Sequence, residues 1–168
     1  MNNIFKIFLV INLLFFNNAF ASDKDHHNKH KYKIGKIEIE HPYTYVTPAG
    51  SKVAAGYMKI ENDALSRNRL VSVTNVNFAD HAEIHEMRME NQVMKMRPLE
   101  KGLLIPGKME IYLKPSGYHI MFVDLKEPIQ KGKKYKATLN FEKGGAIDVY
   151  FMGVTRGFHP DQNHSKHH

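Results

Sequence analysis

Apolar and polar residues alternate along most of the chain between Ile34 and Thr155, a pattern typical of β-strands with one buried face. Turn residues interrupt the alternation repeatedly, for example at Pro106-Gly107 and Gly144-Gly145. Short alternating runs separated by regular turns predict an antiparallel β-sandwich or barrel. About nine short strands are predicted: Lys36–Glu40, Lys52–Glu61, Arg69–Asn75, Glu83–Met89, Val93–Arg97, Met109–Lys114, His119–Leu125, Tyr135–Phe141 and Ile147–Met152.

The amino-terminal residues 1–21 differ from this central segment. Lys6 precedes an apolar run from Ile7 to Phe16, and an Ala-x-Ala sequence ends at Ala21. This order predicts a cleaved secretory signal peptide and hence a location in the periplasm. The run is roughly half the length that a membrane span requires, so no stable membrane insertion is expected after cleavage. An uncleaved membrane anchor is the alternative.

Histidine-rich polar segments flank the predicted folded domain, residues 34–155. Residues 22–33 contain almost nothing apolar and are predicted to be disordered. Residues 156–168, called here the His-rich tail, are predicted to be flexible. Four histidines of this tail are candidate auxiliary metal ligands: His159, His164, His167 and His168.

Composition narrows the chemistry that the domain can perform. The 168 residues include 11 histidines and 9 methionines but no cysteine, and their formal net charge is +7. Without cysteine, the chain has no disulfide, no thiol nucleophile and no blue-copper thiolate. Lys and Arg are spread along all strands, which favours a solvated basic face over a nucleic-acid site. No nucleophile elbow, phosphate-binding loop or His-Glu-x-x-His helix motif is recognisable, so an enzyme is not expected.

The methionines cluster in the sequence and alternate with charged residues. Side chains two positions apart share one face of a strand, so His85, Met87 and Met89 are predicted to point the same way. Met94 and Met96 repeat the pattern on the next predicted strand, and a tight turn at 91–92 joins the two.

A second pair of this kind follows at His119 and Met121. Ile120 and Phe122 point to the opposite face, where they are predicted to fill the core. Thioethers are soft ligands and imidazoles are borderline, so such a set favours Cu(I) over hard cations and over Zn(II). The alternative is that the methionines only fill gaps in a hydrophobic core.

The arrangement of these residues resembles a known family, the periplasmic copper(I) chaperones of the PCuAC type that serve cytochrome c oxidase assembly. The family signature is a His, ten residues, a Met, just over twenty residues, and His-x-Met. Here ten residues separate His85 from Met96, and twenty-two separate Met96 from His119, with Met121 completing the motif. Similarity extends from about Ile37 to Met152. Other matching segments are Glu83-Ile84-His85-Glu86-Met87, Val93-Met94-Lys95-Met96-Arg97-Pro98-Leu99 and Lys114-Pro115-Ser116-Gly117-Tyr118.

The resemblance implies a cupredoxin-like Greek-key barrel and a Cu(I) site formed by His85, Met96, His119 and Met121. Met87 is the expected substitute ligand. The implied function is delivery of copper to the copper-accepting subunit of cytochrome c oxidase, with a thioredoxin-like copper chaperone as a further candidate partner.

Two alternatives for the function, and one question about the tail, stay open at this point. The protein could buffer copper or zinc rather than deliver copper, or it could be a metal-free β-sandwich interaction module. The His-rich tail would favour Cu(II) or Zn(II) if it binds metal, and otherwise it serves only solubility.

Overall fold

The computed structural model describes residues 31–158 and residue 160. These residues form an all-β structure with eleven strands in one mixed sheet. Within the described residues, no helix is long and apolar enough to cross a membrane. The strands are β1 (Lys31–Ile34), β2 (Ile37–Tyr45), β3 (Val53–Asn62), β4 (Asn68–Thr74), β5 (His81–Glu90), β6 (Val93–Pro98), β7 (Leu103–Ile105), β8 (Met109–Leu113), β9 (His119–Val123), β10 (Lys134–Phe141) and β11 (Gly145–Val154).

The strand order is not sequential, which is characteristic of a folded-over β-sandwich or barrel rather than a meander. Neighbouring strands follow the order β6-β5-β9-β3-β2-β11-β10-β4-β7, while β1 pairs with β2 and β8 pairs with β3. Most pairs are antiparallel, but β11 runs parallel to β2. This topology places β9 between β3 and β5, so distant parts of the sequence meet at β9.

The core is formed by the inward faces of the alternating strands. In β10, for example, Tyr135, Ala137 and Leu139 are fully buried while Lys134 is exposed. The aromatic rings of Phe78, Phe122 and Phe151 pack edge to face within this core. Other fully buried side chains are Ile37, Ile39, Ile60, Leu70, Ile105, Ile120 and Val149.

Strand β1, residues 31–34, overlaps the segment that the sequence pattern predicted to be disordered. The segment 22–33 was expected to be disordered, and for residues 31–33 this expectation is wrong. β1 pairs with β2, and the Lys31 ammonium group lies 2.9 Å from Glu38 and 2.6 Å from Glu40. Tyr32 accepts a hydrogen bond from the Tyr150 backbone. These partners lie elsewhere in the chain, so the local composition did not reveal them.

The first residues of the His-rich tail also contact the domain. The Phe158 ring lies 5.3 Å from the Tyr43 ring and packs against a small cluster of Tyr43, Tyr57 and Val154. Phe158, which belongs to the segment predicted to be flexible, is thus packed against the domain. The predicted signal peptide and residues 22–30 lie outside the described residues, as do His159, His164, His167 and His168.

The strand predictions are otherwise close to the structure. The nine predicted runs correspond to β2 to β6 and to β8 to β11, with ends that differ by a few residues. The three-residue β7 was missed because it is too short to show alternation, and it exists through its pairing with β4.

Candidate metal centre

Strand β9 places His119 and Met121 on the face opposite to the core. Ile120 and Phe122 are completely buried beneath it, which fixes the orientation of the strand. Met121 lies opposite Glu83 of β5 on one side and opposite Ala55 of β3 on the other. In β9 the core residues Ile120 and Phe122 therefore alternate with His119 and Met121, as the sequence predicted.

The β5–β6 hairpin supplies the other predicted ligands. Met87 pairs directly with Met96 and Met89 with Met94, so all four thioethers lie on the same face of the hairpin. The turn consists of Asn91 and Gln92, both with positive φ. Positive φ at both central residues is the geometry of a tight two-residue hairpin, as the sequence predicted.

His85 and His119 are brought together by the pairing of β5 with β9. They are directly opposite each other in the register, and their ring centroids are 5.6 Å apart with an angle of 64° between the ring planes. Both side chains are buried, with exposed fractions of 8% and 6%. Buried, closely spaced imidazoles fit a metal site better than a solvated surface.

The tautomer of His119 is set by the loop that precedes β9. Its Nδ1 lies 3.1 Å from the Gly117 carbonyl oxygen, and because a carbonyl only accepts, Nδ1 carries the proton. The same carbonyl accepts a hydrogen bond from the Met87 backbone amide at 3.2 Å. Nε2 of His119 is thereby left with a lone pair for a metal ion, and the loop is tied to β5.

His85 has the opposite tautomer, and Glu83 determines it. The His85 Nε2 lies 2.7 Å from a Glu83 carboxylate oxygen, and because a carboxylate only accepts, Nε2 carries the proton and donates the hydrogen bond. The other ring nitrogen, Nδ1, is buried and has no hydrogen-bond partner. A buried nitrogen without a partner is costly, and a metal ion would satisfy it. The residues present therefore fit a metal at this position.

A cleft of about 480 Å³ opens beside these residues. Met87, Met96, His119 and Met121 all contribute to its wall. His85 is not among the residues that line the cleft, but it is the direct cross-strand partner of His119, which does line it. The exposed fraction of Met96 is 47%, so one side of the cleft is open to solvent.

The environment also favours neutral His119. Burial lowers the pKa of the His119 imidazole below its ordinary value; the Gly117 carbonyl opposes this shift and the neighbouring His85 ring reinforces it. A neutral imidazole is the form that ligates a metal, so the site needs little proton displacement near neutral pH.

The donor set of this region includes thioethers beside the two imidazoles. In the part of the chain that the structure describes, no group of three or more His, Cys, Asp or Glu side chains is arranged to hold a metal ion. Two imidazoles and two or three thioethers would instead give a soft, neutral ligand set.

Comparison with known proteins gives the family. The family model described as "Putative lipoprotein LpqE-like" matches residues 37–152, the same span over which the sequence resemblance was recognised. The chain belongs to the LpqE-like family. A curated relative from Leifsonia xyli subsp. xyli (strain CTCB07), "Putative lipoprotein Lxx21020", is 30% identical over 105 residues, or 62% of this chain. The LpqE-like chain spans 63% of that relative's length.

Solved structures assign the fold of this LpqE-like protein. The apo PCuAC domain from PmoF1 superposes with a TM-score of 0.64 at 28% identity, covering 75% of this chain and 99% of that domain. The copper-bound PCuAC domain from PmoF2 gives 0.63 at 25% identity, with 75% and 98% coverage. Apo-DR1885 from Deinococcus radiodurans, at 18% identity and a TM-score of 0.56, covers 92% and 97% and shows the shared fold only. The predicted cupredoxin-like, all-β fold of the PCuAC type is confirmed.

One residue of the LpqE-like site was missed by sequence reasoning, namely Glu83. The available signal was its position two residues before His85 on the same face of β5. The predicted ligands His85, Met96, His119 and Met121 and the auxiliary Met87 are all brought to one region, whereas the four auxiliary histidines of the tail lie outside the described residues.

Proposed function

We propose that this LpqE-like protein is an extracytoplasmic copper chaperone that carries one Cu(I) in the cleft between β9 and the β5–β6 hairpin. The proposed ligands are His85, Met96, His119 and Met121, and Met87 is the substitute if one thioether is lost. The observation that supports this most is the pair of opposed imidazoles, each with one nitrogen committed to a protein acceptor and the other available. The copper-bound PCuAC domain from PmoF2 adds support from a similar fold.

The ligand set explains why Cu(I) would be preferred. Thioethers carry no proton and no charge, and they bind soft monovalent copper better than Cu(II) or Zn(II). Binding then requires no deprotonation except of histidine, and the site tolerates an oxidising compartment where thiols would form disulfides. An extracytoplasmic location agrees with the lipoprotein description of the family and with the predicted signal peptide.

The proposed role is transport of copper to an acceptor rather than catalysis. The half-exposed Met96 gives a docking partner access to the ion from one side. We propose the copper-accepting subunit of cytochrome c oxidase as the recipient, with a thioredoxin-like copper chaperone as a further partner. The His-rich tail is proposed as a separate site that favours Cu(II) or Zn(II).

Anaerobic titration with Cu(I) against a competing chromophoric chelator tests the binding claim. We expect one tight equivalent in the wild type, strongly weakened binding in Met121→Leu, and unchanged binding in Met109→Leu. Met109 is a suitable control because it is exposed and lies on β8, away from the cleft. Equal binding by all three proteins would contradict the proposed ligands.

Two further measurements separate the alternatives. Metal content after purification without tags or added metal distinguishes a metal-free interaction module from a copper protein. Transfer of Cu(I) to an apo copper-accepting domain distinguishes delivery from buffering, since a buffer retains its ion.

Truncation after Pro160 tests the tail. It removes His164, His167 and His168 and preserves the contact of Phe158 with Tyr43.

A further inference from the structure

The β5–β6 hairpin carries more methionines than the cleft uses. Its thioethers form two adjacent cross-strand pairs, Met87 with Met96 and Met89 with Met94. The Cβ atoms of such opposed residues are about 4.5–5.5 Å apart. The first pair lines the cleft, and the second lies about 7 Å further along the strands toward the turn.

The second pair has no role in the hydrophobic core. Met89 is 60% exposed and Met94 is 41% exposed, so neither side chain fills a gap between packed elements. The gap-filling explanation for methionine therefore does not apply to these two residues. Their sulfur lone pairs are accessible from solvent.

The register of the hairpin aligns the two sulfurs. The pairing of β5 with β6 continues to Glu90 opposite Val93, and the two-residue turn Asn91-Gln92 closes it directly beyond that pair. In a hairpin the turn type and loop length fix the register, so Met89 stays opposite Met94. The two thioethers are thus presented as a pair rather than as independent side chains.

We propose that Met89 and Met94 form a second, weaker Cu(I) site, one cross-strand pair outward from the cleft. This inference rests on the proposed function of the cleft. Two thioethers satisfy the low coordination number that Cu(I) accepts, but they offer fewer bonds than the cleft, so binding is weaker. Copper moving between the sites exchanges one set of neutral ligands for another, with no change of oxidation state and no proton transfer at the outer pair.

Methionine methyl NMR on the full chain tests this site residue by residue. The chain is labelled with ¹³C at the methionine methyl groups and titrated anaerobically with Cu(I), which is diamagnetic. The first equivalent is expected to shift the methyl resonances of Met96 and Met121, and further copper those of Met89 and Met94. Met109 is the control, and its resonance is expected to stay unchanged. It is 53% exposed but lies on β8, opposite Asn62 of β3.

Two variants show whether the outer site is a pair. In Met94→Leu, which retains an apolar side chain but lacks sulfur, the shift of Met89 on further addition of copper is expected to be lost. In Met109→Leu the same shift is expected to persist. If Met89 does not respond in the wild type, or responds equally in Met94→Leu, the second site is wrong. If the first equivalent leaves Met96 and Met121 unshifted, the proposed function of the cleft fails instead.

Discussion

His85 and His119 face each other across β5 and β9 with complementary tautomers. His85 donates a hydrogen bond from Nε2–H to the Glu83 carboxylate at 2.7 Å, whereas His119 donates one from Nδ1–H to the Gly117 carbonyl at 3.1 Å. The two free nitrogens are therefore different atoms on the two rings. This relationship makes the pair ready for a metal without rearrangement of either hydrogen bond.

Replacement of Glu83 tests how the His85 tautomer is held. In Glu83→Ala we expect Cu(I) affinity to fall by about 10- to 100-fold, the usual effect of losing a carboxylate partner of a ligating histidine. Glu86→Ala is the matched control because Glu86 lies on the other face of β5. Imidazole ¹⁵N NMR of the metal-free protein should show His85 protonated at Nε2 in the wild type and a mixture of tautomers in the variant. An unchanged tautomer and affinity in Glu83→Ala would contradict the assignment.

The dependence of copper binding on pH follows from the lowered pKa of His119. Protons compete with Cu(I) only once the pH falls toward that pKa, which burial places below the ordinary value of about 6.5. Cu(I) affinity should therefore hold to lower pH than Cu(II) binding by the His-rich tail, whose histidines are predicted to titrate near 6.5. Parallel titrations of each ion between neutral and acidic pH check this order. Loss of both ions over the same pH range would oppose it.

Gly56 lies in β3, the strand that pairs with β9, and there is no room for a side chain at this position. A Cβ atom there would lie 2.8 Å from Phe122 Cε2 and 2.9 Å from Phe151 Cε1. Both rings are fully buried, so Gly56→Ala should lower the free energy of unfolding by about 1–3 kcal/mol through overpacking. Gly117→Ala is the control, since its nearest neighbour would be 3.4 Å away. Thermal or denaturant unfolding measures both, and equal stability of the two variants would refute the packing argument.

Glu40 joins three strands through ion pairs on one side of the sheet. Burial disfavours its charged form, but hydrogen bonds from Lys31 and Lys59 outweigh this and lower the pKa of Glu40 to about 2. Because the folded-state pKa lies below the usual 4.5, the stabilisation is complete above pH 4.5 and is lost as the pH falls toward 2.

Glu40→Gln should accordingly destabilise the protein at neutral pH, by on the order of 2 kcal/mol. The difference from wild type should shrink between about pH 4.5 and pH 2, the window set by the unfolded and folded pKa values. Glu127→Gln breaks an exposed pair with Lys133 and should have little effect at any pH. Urea unfolding at several pH values distinguishes these outcomes, and a pH-independent effect of Glu40→Gln would contradict the ion-pair account.

Much of the fold was predictable because alternation is a local property of the chain. In β9, Ile120 and Phe122 mark the core face, and His119 and Met121 consequently share the other. β1 and β7 escaped prediction because they are short and exist through pairing with β2 and β4.

The sequence predicted which residues form the candidate site, but it did not predict how their side chains are arranged relative to one another. The opposition of His85 and His119 depends on the register between β5 and β9, which are separated in sequence by three other strands. The role of Gly117 likewise follows only from the loop before β9, whereas the contact of Glu83 with His85 lies within β5 and had a signal in the two-residue spacing.

The central claim is that the cleft binds Cu(I) through both sulfur and nitrogen, and X-ray absorption spectroscopy tests it most directly. The full chain is loaded anaerobically with one equivalent of Cu(I), alongside the Met121→Leu and Met109→Leu variants. We predict that wild type and Met109→Leu show sulfur and nitrogen neighbours together and that Met121→Leu shows weaker sulfur scattering, with the remaining sulfur supplied by the cleft-lining Met96 and Met87. A copper environment of nitrogen and oxygen alone in the wild type would contradict the account.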